Sequence, residues 1–181
     1  MYNMKYGNDY KIKESLYNDD PVIRTYTGKY VNIFDMKKED IDIVDIAWRL
    51  SNTCRFGGYT KIFYSVAQHS NWCCEHIEND SFKLEALMHD ATEAYIGDIP
   101  SPIKRVLVEI GQIEDRIQEI IADKFKLKCP FPKEVHAIDR KALEYEWDNF
   151  MISEHIVQIG NIRDKSGMYK FMDNFNKLKR T

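Results

Sequence analysis

From Asp40 onward the chain repeats apolar residues at intervals of three and four, a pattern set by Ile43, Ile46, Ala47 and Leu50. An α-helix turns about 100° per residue, so this repeat gives each segment one buried face. The spacing predicts helices over 40–52, 62–78, 81–96, 101–127 with a bend near Gly111, 132–158, and a weaker one near 165–178. Such a chain folds as an all-α bundle. Ahead of it, two β-branched and aromatic runs, Val22–Tyr26 and Lys29–Ile33, flank Thr27-Gly28 and predict a short N-terminal β-hairpin. The opening twenty residues carry no period and read as an irregular arm. Neither repeats nor a low-complexity linker divide the sequence. One domain is expected over 1–181, with a core of about 40–158, an arm and hairpin over 1–39 and a C-terminal extension over 159–181.

Composition narrows the partners. With 181 residues and 44% hydrophobic side chains, the chain can bury a sizeable core. A net charge of −3 and a pI near 6.0 provide no global field for long nucleic acid or an anionic membrane, so anion recognition has to be local. No run of about 18 apolar residues suggests a membrane span, and the start does not read as a signal peptide. A cytoplasmic protein is expected. Cys54, Cys73, Cys74 and Cys129 lack CxxC spacing and read as reduced thiols.

The chemistry is concentrated in sixteen residues, His89-Asp90-Ala-Thr-Glu93-Ala-Tyr-Ile-Gly-Asp98-Ile-Pro-Ser-Pro-Ile-Lys104. On a helix, His89 and Glu93 would lie one above the other, with Asp90 one step round. Ala86, Ala91 and Ala94 would let a second helix come close, which implies a site between helices. Imidazole plus carboxylate suits borderline divalent metals such as Zn, Co, Mn, Ni or Fe, but one His-Asp pair is only part of a shell. His69, on the preceding apolar-periodic segment, is a natural third ligand. Gly97 through Pro100 break the helix, Ser101-Pro102 read as the cap and first position of the next, and Asp98 is left at the corner.

The pattern H…HD…D with HDxxEAxxGDxPxPxK resembles the HD-domain phosphohydrolases, in particular the branch of bacterial 5′-deoxynucleotidases and phage dATP triphosphohydrolases. The likeness spans roughly residues 45 to 145 and includes Arg55-Phe56-Gly57-Gly58-Tyr59, similar to that branch's substrate-contacting arginine turn. It implies an HD-domain bundle holding one divalent ion on His69, His89, Asp90 and a later aspartate. Asp139 is the best candidate for the last, beside the stripe of Val135, Ile138 and Leu143, ahead of Asp123 and Asp148. By the same resemblance Glu93 is catalytic. Asp98 is read as assisting the nucleophile or holding the sugar, and Arg55, a planar fork, and Lys104, a point charge, as the phosphate partners, with Arg105 and Lys61 as weaker candidates.

The implied activity is metal-dependent hydrolysis of small nucleotides, with 5′-(deoxy)nucleoside monophosphates giving nucleoside and phosphate. A triphosphohydrolase and a nucleotide-binding regulator are the alternatives. Mg accompanying the phosphates and a homo-oligomer are left open. His76, seven residues after His69, would line the same face and support a ligand or hold a second metal ion, whereas His136 and His155 have no supporting constellation. Trp72 and Trp147 are expected in the core, while Trp48 could pack beside a base.

Overall fold

The computed structural model describes residues 21–152 and 166–179, and the irregular arm expected over the first twenty lies outside them. The described chain is mostly helical with one small antiparallel sheet. Strands β1 (Val22–Arg24) and β2 (Tyr30–Asn32) pair in the register Val22↔Asn32, Ile23↔Val31, Arg24↔Tyr30. They are shorter than the runs that predicted them. Thr25 N–H donates to Lys29 O, and Asp45 accepts from both the backbone N–H and the hydroxyl of Thr27 at 2.7 Å, pinning the turn to the first helix.

Helix α1 (Ile43–Ser51) opens on Asp42, whose carboxylate accepts from Val44 N–H. Helix α2 (Val66–His76) opens on a reciprocal capping box. The Ser65 hydroxyl accepts from Gln68 N–H, and the Gln68 side chain accepts from Ser65 N–H. Helix α3 spans Lys83–Met88, α4 Glu93–Ile96, α5 Ser101–Lys104, α6 Val108–Phe125, α7 Lys133–Glu146 and α8 Ser166–Lys179. No helix among the described residues is long and apolar enough to cross a membrane.

The helix expected over 132–158 leaves α geometry after Glu146 for a π turn over Trp147–Met151. Three further boundaries correct the sequence expectations. The helix expected over 81–96 divides at His89–Thr92, where successive amides bond three residues back: Ala91 N–H to Met88 O, Glu93 N–H to Asp90 O, Ala94 N–H to Ala91 O. The His89 ring takes the Ala86 carbonyl at 2.8 Å, and such a side-chain bond competes with the regular ladder. The expected bend at Gly111 falls instead between Lys104 and Val108, ahead of α6, and Gly111 is an ordinary helical residue. Ser101 and Pro102 are the first two residues of α5, preceded by Pro100 rather than acting as cap and first position.

The main core gathers Ile46, Leu50, Leu87, Met88, Ile117, Ile121 and Phe171. Helix α8 lies against α1, α2 and α3, so residues expected to form a C-terminal extension contribute fully buried apolar area. A second cluster of Cys73, Ile77, Ala86, Val135, Ile138 and Ala142 seats α7 on α2 and α3. This seating sets α2, α7 and the His89–Thr92 turn around one small volume.

Candidate metal centre and adjoining cleft

His69 stands one turn into α2 with no solvent exposure, because Ser65 starts the helix and Val66 and Ala67 bury that face. Its Nε2 lies 3.1 Å from His89 Nε2, 3.4 Å from Asp90 Oδ2 and 3.2 Å from Asp139 Oδ1. His89 Nε2 is 3.3 Å from Asp90 Oδ2 and 3.7 Å from Asp139 Oδ1. The four residues singled out from sequence as ligands thus turn donor atoms towards one point. They come from two helices and a turn that are far apart in the chain.

The second ring nitrogen of each histidine fixes which nitrogen faces that point. His89 Nδ1–H donates to Ala86 O at 2.8 Å, and His69 Nδ1–H donates to Glu146 Oε1 at 2.6 Å, since both partners only accept. In a neutral ring the remaining Nε2 carries a lone pair, and two such lone pairs 3.1 Å apart repel unless a proton or a metal cation lies between them. Burial opposes charge on His89, but Asp90 and Asp139 outweigh it and raise its pKa to about 9, so a proton takes that place without a metal ion. Asp90 Oδ2 is buried without a hydrogen bond in the same place. Buried polar atoms without partners are uncommon in folded proteins. His69, Cys73 and His89 lie close enough together to share one metal ion, and Asp90 and Asp139 bring carboxylate oxygens within 3.2–3.7 Å of the two Nε2 atoms.

Arg55 reaches over the cluster from a turn bent by left-handed backbone at Phe56 (φ 55°) and Gly57 (φ 61°). Bonds from Arg55 N–H to Tyr64 O and from Val66 N–H to Thr53 O hold that turn against the start of α2. The guanidinium donates from Nε and Nη2 to Glu146 Oε2 at 3.3 and 3.2 Å, and its Nη1 is 3.6 Å from Asp90 Oδ2. Burial opposes its charge, but Asp90 and Glu146 outweigh that and hold its pKa above the ordinary value. The same balance acts on Asp90 and Asp139. Burial would raise both, yet the imidazoles keep them low, with Arg55 also acting on Asp90.

Glu93 is buried, and its Oε2 has no hydrogen-bond partner. Burial pushes its pKa well above the carboxylate range, with Asp90 and Asp98 adding to the rise. Asp98 is raised too, chiefly by burial, and its Oδ2 also lacks a partner. Because the His89–Thr92 turn carries about three residues per revolution, Asp90 rather than His89 lies beneath Glu93. Lys104 does not point freely at the cluster; its Nζ donates to Glu114 Oε1 at 2.8 Å. Beside Arg55 and Asp98 opens a cleft of about 680 Å³, walled by Phe56, Pro100, Pro102, Leu143 and Trp147, with Arg105, Glu144 and Asp148 on its lining.

Glu146 was not singled out from sequence. It is fully buried, and its seven-residue spacing from Asp139 returns it to the same face of α7, the one signal that could have marked it. Cys73 was also missed. It lies one turn beyond His69, with Sγ 3.7 Å from His69 Nε2, and burial pushes its thiol pKa up. Other candidates go elsewhere. His76 donates to Trp72 O and stacks on that ring, Asp123 pairs with Lys38 at the surface, and His136 lines a separate cleft with Cys129. His155 lies outside the described residues. Trp48 stacks on Tyr26 away from the cluster, and Trp147 is a half-exposed cleft wall rather than a core residue.

No protein-family model matches the sequence. Over 105 residues the chain is 48% identical to YfdR, an uncharacterized protein of Escherichia coli, the match covering 58% of each chain. An uncharacterized protein of Rhodobacter capsulatus is 30% identical over 118 residues, 60% of each. The chain thus matches about three fifths of the length of these curated relatives.

Proposed function

We propose that the chain is an HD-domain, metal-dependent phosphohydrolase that acts on small nucleotides, with 5′-deoxynucleoside monophosphates as the first substrate class. The observation that carries this reading is the convergence of His69, His89, Asp90 and Asp139, both histidines turning Nε2 inward. These four residues would hold one divalent ion. When bound, it would supply Lewis-acid polarisation of a phosphoryl oxygen and a water acidified towards neutral pH.

The rest of the chemistry belongs to the chain's own groups. Arg55 presents a guanidinium whose charge Asp90 and Glu146 secure, at the boundary between the cluster and the cleft. Such a planar fork suits a phosphate's oxygens. Glu93 can hold a proton on its unpartnered Oε2 at a pH where an ordinary carboxyl has lost it, because burial raises its pKa, and can release it towards a departing 5′ oxygen. Asp98, on the cleft lining with an unpartnered Oδ2, would accept from a sugar hydroxyl or share that proton. The apolar walls of Phe56, Leu143 and Trp147 suit a base and deoxyribose.

Charge around the cleft favours a monophosphate over a triphosphate. Arg55 is already paired with two carboxylates and Lys104 with Glu114. Arg105 is offset on the cleft lining by Asp98, Glu144 and Asp148. A tripolyphosphate tail would meet more negative than positive charge there.

The test is incubation with Mn²⁺, Co²⁺ or Zn²⁺ and a panel of nucleoside mono-, di- and triphosphates, with chromatography of the products. Nucleoside plus orthophosphate from the monophosphates is expected. Nucleoside plus tripolyphosphate would instead establish a triphosphohydrolase. Nucleotide binding without turnover under every metal would refute the enzyme and leave a regulatory binder.

A further inference from the structure

Glu146 has no solvent exposure, and neither carboxylate oxygen is idle. Oε1 accepts from His69 Nδ1 at 2.6 Å, while Oε2 accepts from Arg55 Nε and Nη2 at 3.3 and 3.2 Å. Burial and the charge of the same carboxylate push the Tyr64 hydroxyl's pKa up. Burying a carboxylate this completely is costly unless paired charge and several donors compensate. An apolar residue could fill the space at lower cost, so the arrangement is explained by what it does to its two partners.

We infer that Glu146 is the positioning residue of the metal centre, orienting His69 and restraining Arg55 together. The inference rests on the proposed function and adds a residue to it. Holding the proton of His69 on Nδ1 leaves the Nε2 lone pair facing His89, Asp90 and Asp139. A carboxylate behind a ligating imidazole also raises the basicity of the ring. The second grip matters as much. Arg55 Nη1 is already 3.6 Å from Asp90 Oδ2, and an arginine released from Glu146 would close on Asp90 and compete for the oxygen that faces the histidines. One carboxylate thereby presents one ligand and protects another. Its location at the last residue of α7, two turns beyond Asp139, ties both effects to the helix that supplies the fourth ligand.

Glu146→Gln keeps the shape, removes the charge and turns an amide donor towards Arg55 or His69. Its affinity for Co²⁺, measured by competition with a chromophoric chelator, is expected to fall about 10–100-fold, the usual effect of removing such a partner. Its circular dichroism should remain that of the parent. Affinity within twofold of the parent in a folded variant overturns the inference. If Glu146→Gln does not fold, long-range ¹H–¹⁵N spectra of the metal-free parent decide the question. A proton on His69 Nδ1, shifted downfield by the short bond to the carboxylate, is expected, and an Nδ1 without a proton overturns the inference. Failure of the parent to bind Co²⁺ would refute the metal reading under the proposed function, whereas parent binding with an indifferent Glu146→Gln would refute only the role of Glu146.

Discussion

Burial, with the charges of Asp90 and Asp98 beside it, outweighs Arg55 and Lys104 at Glu93, and this isolation from water is what lets it hold a proton where an ordinary carboxyl would not. The same isolation costs stability. A carboxyl whose pKa is raised on folding contributes stability fully below its unfolded pKa, and that contribution is lost as pH rises from the ordinary carboxylate range through the raised value. In chelator-treated protein, Glu93→Gln is therefore expected to melt close to the parent at pH 4 and above it at pH 8. With metal restored, the variant should bind the ion but lose about 10²–10⁴-fold in rate. Equal melting temperatures at both pH values, or undiminished rate, would remove Glu93 from its role. Asp90→Ala makes the complementary case, expected to lose the ion and the activity together in a chelator-competition assay. The neighbourhood of Glu93 was partly legible, since His89, Asp90 and Asp98 could be read along one segment. Glu146 was not, because a lone glutamate late in a charged helix carries no motif, and its importance arises only when α7 packs on α2.

Helix periodicity marks where apolar faces lie but is blind to a few hydrogen bonds that reroute the backbone. The stretch from Leu84 to Tyr95 reads as one helix because its apolar and alanine positions suit one, yet the His89 side chain takes a carbonyl and the next turn tightens. That local change brings Asp90, rather than His89, into line with Glu93. The break ahead of α5 was visible, because Gly97 and Pro100 are punctuation that no helix passes easily. Gly97 adopts φ 83° and ψ 164°, a conformation almost confined to glycine, and places Asp98 at the cleft. An added Cβ would meet nothing within 4 Å, so Gly97→Ala isolates backbone strain from crowding. Denaturant unfolding is expected to show a loss of about 1–3 kcal/mol. A neutral result would mean that the turn relaxes freely and does not fix Asp98. At the start of α2, Ser65→Ala should cost about 1 kcal/mol in the same assay by removing one half of the capping box.

The ligand positions belong to the fold as a whole, for His69, His89 with Asp90, and Asp139 are brought within hydrogen-bonding distances only when α2, the turn after α3, and α7 are packed together. That packing depends on α8, whose Phe171 is fully buried and whose Phe175 meets Phe125 edge-on at 5.3 Å. An unfolded chain has no such arrangement, so an ion bound by these residues must stabilise the native state by mass action. At free Co²⁺ about a hundredfold above Kd, the gain is expected near 2.7 kcal/mol, read as a rise in unfolding midpoint. Phe171→Ala should lower stability by about 3–5 kcal/mol through the cavity it leaves, yet retain nearly the whole metal-induced increment while it remains folded. Asp139→Ala should show the reverse: a smaller loss of intrinsic stability and no increment. If the midpoint of the parent does not move with Co²⁺, Mn²⁺ or Zn²⁺, the cluster is a hydrogen-bonded polar core and the proposed chemistry falls with it. If it moves equally in Asp139→Ala, the ion is held without the fourth residue, and α7 acts through Glu146 alone.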